Sequence, residues 1–295
     1  MSQATPGHEE RQPVTDIANG ADALLFEQGS ATGSGSDPGW ISQIPDGLWL
    51  KPEEMAAPEA RVIWQALDLV PGQEVLDCPC GDGRVGIHLA RRGIRYTGLD
   101  INPRFIRRAR ERFAAEGVAG SFLLRDMREL DDEERFDAVL NWFNSFGYYD
   151  AETDLLVLQR LAMALRTGGR LLLEAPNRSN LAGDAMRTFD IGGIEIVRQW
   201  DEPSKNVLYL LNRPAENGRT VKIVSRVRLY SLSEYRQLFS LAGMQLEQVC
   251  DETLASFREH SRRMILVGRK SRHPDWRVSG QKLQAFRQPD QHQLS

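Results

Sequence analysis

The chain has little of what marks several protein classes. Three cysteines in 295 residues, Cys78, Cys80 and Cys250, are too few and too unevenly spaced for a disulfide framework, and no second pair joins Cys78-Pro79-Cys80 to complete a zinc site. The five histidines show no ligand spacing either, so no metal is expected. Long apolar runs are missing: none approaches the roughly 18 residues of a membrane span. The opening residues also lack the basic start and apolar centre of a signal peptide. No membrane association and a cytoplasmic location are expected. Surplus positive charge is absent too, since 37 Lys and Arg face 41 Asp and Glu for a net charge of −4, and a nucleic-acid partner is therefore not expected. What remains is a globular composition with 41% hydrophobic residues, enough to bury a core.

Polar and small residues dominate 1–38, where ordering the chain would bury little, so a disordered tail is expected. A second polar tail is expected over 271–295, with Trp276, Leu283 and Phe286 as residues that could dock on the body. Between the tails, short apolar runs alternate with helical patterns, the grammar of βα units around a mostly parallel sheet. A helix is expected over 52–69. Strands are expected over 74–77, 95–100, 121–124, 136–140 and 169–175, with helices over 84–92, from Pro103, and over 151–166. After Arg178 the pattern changes to β-rich runs at 194–197, 207–211 and 221–228, separated by Pro, Asn and Gly turns. A helix over 233–242 and strands at 244–249 and 264–267 then return to the main sheet. The expected fold is a Rossmann-like, doubly wound α/β structure: a mostly parallel seven-stranded sheet carrying an antiparallel β-rich cap insertion over 191–230, which covers a substrate or supports a homodimer.

The chemistry-bearing segment is Val75-Leu76-Asp77-Cys78-Pro79-Cys80-Gly81-Asp82-Gly83-Arg84, between a strand and a helix. Glycines let a backbone approach a ligand closely, and free amides at a helix start favour an anionic group. Gly81-Asp82-Gly83-Arg84-Val85-Gly86 also satisfies the dinucleotide fingerprint, with Asp100 near the distance at which a ribose-binding acid is wanted. On these residues alone, a nicotinamide-dependent oxidoreductase stays open.

Asp77 ending the first strand, the turn at Gly81 and Gly83, Asp100 ending the second strand and Asp126 after the third together resemble the class I S-adenosylmethionine-dependent methyltransferases. The resemblance covers about Lys51 to Lys270 and makes 39–270 the methyltransferase domain. Pro79 stands where that family most often has its first glycine. The resemblance implies S-adenosylmethionine as cofactor, held by the turn from Asp77 through Cys78, Pro79 and Gly81 to Gly83. Asp77 would meet the methionine amine and the amides at Gly81 and Gly83 the carboxylate. Asp100 would accept both ribose hydroxyls, Asp126 the adenine amino group, and Ile101 and Met127 would sandwich the ring. Asn141 and Trp142, in the aromatic segment 141–149, would border the cofactor; Ser145 and Phe146, with Asn177 and Arg178 after the fifth strand, would border the acceptor.

Glu174 and Tyr230 are candidate general bases, although a pocket-lining or structural role fits both. The segment 141–149 lacks the Asn/Asp-Pro-Pro-aromatic tetrad of DNA amino-methylating enzymes. The expected activity is methyl transfer to a nitrogen, oxygen or carboxylate of a small-molecule acceptor. A protein that binds the cofactor and acts through partners without catalysis is also compatible with these residues.

Overall fold

The computed structural model describes residues 46–182, 186–214 and 220–271. The expected tail over 1–38 lies outside them, as does the second tail beyond Ser271. Seven strands build the main sheet: β1 (Glu74–Asp77), β2 (Arg95–Asp100), β3 (Ser121–Leu124), β4 (Phe136–Asn141), β5 (Leu165–Pro176), β10 (Met244–Cys250) and β11 (Arg263–Lys270), in the order β10-β11-β5-β4-β1-β2-β3. β1 pairs in parallel with β2 and with β4, while β11 runs antiparallel to β5 and to β10. Chain order therefore reverses at β1, and in open sheets of this kind ligands sit beyond the carboxyl ends of the strands at that reversal.

Local chemistry sets most boundaries. A 3-10 turn (Glu53–Met55) precedes helix α1, which we assign to Ala56–Leu67; it buries Ala60, Ile63 and Leu67 and stops where Asp68 turns left-handed at φ 54°. Helix α2 (Gly86–Ala90) follows the glycine turn. The Asn102 side chain caps helix α3 (Pro103–Ala115), accepting from the Arg104 amide at 3.0 Å, and proline fills the first helical position. Asp150 caps α4 (Ala151–Ala164) in the same way at the Thr153 amide. α5 (Arg178–Ala182) leads out of β5, and Ser231 and Glu234 form a capping box for α6 (Leu232–Leu241). β5 is longer than 169–175 because Leu165 already pairs with Phe136, and the ladder slips between Phe136 and Ala138 to absorb the Gly168-Gly169 pair.

The insertion is a separate antiparallel sheet, β6-β7-β8-β9, formed by Met186–Ile191, Ile194–Asp201, Asn206–Pro214 and Thr220–Arg228. It begins one strand earlier than 191–230. Every residue of β6 is exposed at the sheet edge, so no burial-driven alternation marks it in the sequence. Ile194, Ile196, Leu211 and Ile223 on one face of this sheet form a cluster against which Leu48, Trp49, Tyr148 and Tyr209 pack. The insertion is thereby tied to the segment 141–149 and to the residues just before Lys51.

Candidate active site

A cleft whose empty space, counted with the solvent at its mouth, is about 1010 Å³ lies at the carboxyl ends of β1, β2, β3 and β4. Of the residues expected at a cofactor, Asp77, Pro79, Gly81, Asp100, Ile101, Asp126, Met127 and Trp142 line it, and Ser145 lines it from the expected acceptor set. Gly81 adopts φ 55°, and a Cβ built there meets nothing within 4 Å, so the space beside this backbone is open.

The two central acids are buried. Asp77 accepts from the Tyr96 hydroxyl at 2.8 Å. Burial pushes its pKa up to about 7, with the Tyr96 hydrogen bond pulling the other way and the Asp100 charge adding to the rise. Asp100 accepts from the amides of Gly81 at 2.9 Å and Asn102 at 2.8 Å. Burial raises it to about 6 against the pull of those backbone donors. Both carboxylates keep acceptor sites beyond these bonds, suited to a cation or a diol. Asp126 is engaged more fully: its carboxylate takes the Arg128 amide at 2.8 Å and the guanidinium at 2.6 and 2.9 Å.

The turn itself has few donors to spare. The Cys80 amide donates to Leu99 O at 2.8 Å and the Gly83 amide to Cys80 O at 3.1 Å, while the Gly81 amide is held by Asp100. Gly83 does not line the cleft; a Cβ there would lie 3.1 Å from Ala109 Cβ and 3.2 Å from Phe113, so its smallness serves the packing of α3. Burial raises the Cys78 and Cys80 thiols well above their ordinary pKa, which leaves them un-ionised.

Several expected residues sit elsewhere. Asn141 is fully buried and donates to Cys78 O at 2.8 Å, tying the β1 turn to the end of β4. Phe146 packs in the core against Tyr230 and Tyr235. Asn177 donates to the backbone oxygens of Glu259 and Ser261, and Arg178 pairs with Glu234 at 2.8 Å; neither lines the cleft. Glu174 is spent on Arg263 and on the Asn144 amide at 2.9 Å, and the Tyr230 hydroxyl donates to buried Asp154 at 2.8 Å. Both candidate bases thus hold structure together outside the cleft lining.

The cleft also contains residues that are not among the expected contacts, some of them outside every marked motif. Trp49, Leu50 and Lys51 wall it from the segment before α1, Phe105 adds to it from α3, and Cys80, Asp82, Arg84, Val85, Leu99, Phe143, Tyr148 and Tyr149 make up the rest of the lining. Tyr96, which fixes Asp77, needs the bare Gly86, because a Cβ there would fall 2.1 Å from its ring. Phe143 and Asn144 carry consecutive positive φ of 63° and 53°, and such backbone persists where surrounding contacts impose it, often at ligand sites. Among the described residues no group of three or more His, Cys, Asp or Glu is arranged to hold a metal ion, and no helix is long and apolar enough to cross a membrane.

Comparison with known proteins agrees with this geometry. Residues 75–169, from β1 into β5, match the model of a methyltransferase domain. The Bacillus subtilis protein YqeM, whose name assigns it to the methyltransferases, is 25% identical over 249 residues, covering 79% of this chain and 93% of that protein. The CcbJ methyltransferase of Streptomyces caelestis superposes with a TM-score of 0.64 at 20% identity over 79% of this chain and 95% of its own. A Clostridium acetobutylicum S-adenosylmethionine-dependent methyltransferase gives a TM-score of 0.62 at 14% identity over 74% and 92%. Residues 75–169 thus carry a methyltransferase domain, and in the order of its acids along β1 to β3 and in its sheet order the chain is similar to the class I S-adenosylmethionine-dependent methyltransferases.

Proposed function

We propose that the chain moves a methyl group from S-adenosylmethionine to a nitrogen, oxygen or carboxylate of a small-molecule acceptor, with 39–270 as the working domain in a cytoplasmic protein. The observation that carries this reading is the donor set of the cleft: two buried acids, Asp77 and Asp100, beside an open glycine backbone and the apolar Leu99, Ile101 and Met127. A molecule with an amine, a ribose diol and a flat ring fits those groups. When bound, the cofactor supplies a methyl on a positively charged sulfur, already activated for displacement.

The protein's part is to hold and orient. Asp77, fixed by Tyr96, takes the amine, and Asp100 accepts from the ribose. Ile101 and Met127 flank the ring near Asp126, whose pairing with Arg128 leaves it a smaller share of the recognition. Trp142, Phe143, Ser145 and Tyr148 line the wall between this site and the cap sheet, so they would hold the acceptor beside the bound cofactor. With Glu174 and Tyr230 spent on internal partners, rate comes from orientation and exclusion of water rather than from a dedicated base on β5 or before α6.

The cap supports the acceptor side: Tyr209 of β8 packs with Tyr148 against the same cluster, and Tyr148 is in the cleft wall. Tyr209→Ala is expected to leave S-adenosylhomocysteine affinity within a few-fold while methyl transfer falls by about tenfold or more, because a misplaced acceptor costs rate steeply. The check is calorimetric titration beside a methyl-transfer screen of metabolite pools. Unchanged transfer in the folded variant returns the cap to a role in dimer formation or in protecting the sheet edge.

A further inference from the structure

The glycine turn, the obvious receiver for the carboxylate of the cofactor's methionyl arm, has most of its amides engaged: those of Cys80, Gly81 and Gly83 are bonded within the fold and that of Arg84 turns to Asp82 Oδ1 at 3.3 Å, which leaves the Asp82 amide, a neutral donor, to face a full negative charge. A carboxylate in this cleft would also lie near Asp77 and Asp100, for neither of which a cation stands within ion-pair distance among the described residues. Positive charge elsewhere in the lining would offset that repulsion.

Two cations line the cleft. Arg84 keeps only 8% of its side chain exposed; one arm of its guanidinium, Nη2, is held by Glu59 Oε2 at 2.6 Å, and the Trp142 indole N–H reaches the same oxygen at 3.3 Å. Its other terminal nitrogen, Nη1, is buried without a hydrogen-bond partner. A buried guanidinium N–H left unmade is costly, and its placement in a ligand cleft marks an anion as the missing partner. Lys51 Nζ lies 4.5 Å over the Phe143 ring and has no carboxylate within ion-pair distance among the described residues. Burial first, then the charge of Arg263, lowers its pKa, with Glu59 opposing, so an incoming anion would find a cation already partly stripped of water.

We propose that Arg84 and Lys51 together receive the carboxylate of the cofactor's methionyl arm, an assignment that rests on the cofactor reading above. Glu59 acts as the positioning residue that turns Arg84 so that Nη1 remains available. The segment before α1 then contributes directly to cofactor binding through Lys51, beyond the loops after β1 to β4.

The test compares two ligands on the full chain by calorimetry: S-adenosylhomocysteine, which carries the amino-acid arm, and 5′-methylthioadenosine, which shares the nucleoside and thioether and lacks it. Lys51→Met and Arg84→Lys are each expected to weaken S-adenosylhomocysteine by about ten- to a hundredfold, the range for a lost charge-assisted hydrogen bond, while 5′-methylthioadenosine stays within about twofold of wild type. Should Arg84→Lys fail to fold, half-buried Lys51→Met carries the comparison. Equal losses for both ligands would show that the residues merely shape the cleft, and no loss in Lys51→Met would remove Lys51 from the site; either result overturns the assignment. A wild-type chain that binds neither ligand overturns the cofactor reading and this assignment with it.

Discussion

Gly147→Ala is expected to destabilise the protein by about 3 kcal/mol or more, the sum of a strained backbone and a clash with main chain that cannot step aside. Gly147 sits at φ 94°, and a Cβ there would lie 2.2 Å from the carbonyl oxygen of Arg228. The same two residues are joined by a hydrogen bond from the Arg228 amide to Gly147 O at 2.7 Å. This contact fastens the segment 141–149 to the end of β9, so the substitution must part the cleft wall from the cap sheet. Chemical denaturation measures the loss, and S-adenosylhomocysteine titration at a temperature where the variant is still folded should show weakened binding. A variant as stable as wild type would mean that the cap and the cleft wall are not braced at this point.

The second large effect is in pH. Asp77 and Asp100 have folded-state pKa values raised to about 7 and about 6 by burial. Below the unfolded carboxylate value near ~4 both states are protonated and the acids cost nothing. As pH rises from there through the folded values, the folded state keeps protons that the unfolded chain has lost, so stability from this source declines and levels off above about pH 7. Asp154, raised to about 8 by burial, extends the same decline. Ligand binding has the opposite sign, because an amine and a diol prefer the ionised carboxylates. S-adenosylhomocysteine affinity is expected to rise by about tenfold or more between about pH 5 and about pH 7.5, as proton competition at the two acids is relieved. Asp77→Asn should flatten the upper part of that rise. A profile that stays flat in the wild type would mean that neither acid meets the ligand in its charged form.

Much of this architecture is legible in the sequence because each βα unit is locally consistent. Glu74–Asp77, Arg95–Asp100 and Ser121–Leu124 are strands with the expected bounds, their apolar runs closed by acids or by a helix cap. The carboxylates at the strand ends are legible for the same reason: a sheet edge fixes where a strand's last side chain stands. Less legible is what each backbone amide does, since the turn's hydrogen bonds depend on Asp100 and Leu99 of a neighbouring strand. Tyr96 and Gly86 escape notice because their relation to Asp77 exists only once β2 lies beside β1. Lys51, and Trp49 at the end of a single helical turn (Asp46–Trp49), stand before α1 and belong to no periodic pattern, so only the folded cleft reveals them. Glu174 and Tyr230 are the reverse case, polar residues at strand and helix ends whose partners, Arg263 and Asp154, lie far away in sequence, so the sequence leaves a catalytic and a structural role equally open.

The most direct measurement is parallel calorimetric titration of the full chain with S-adenosylhomocysteine and NAD, in wild type and Asp100→Ala. S-adenosylhomocysteine is expected to bind the wild type and to lose about 1.5 to 3 kcal/mol in the folded variant, the range for hydrogen bonds to a charged group, while NAD gives no comparable heat. Tight NAD binding without S-adenosylhomocysteine binding, or an Asp100→Ala variant that binds S-adenosylhomocysteine as well as wild type, would contradict the account.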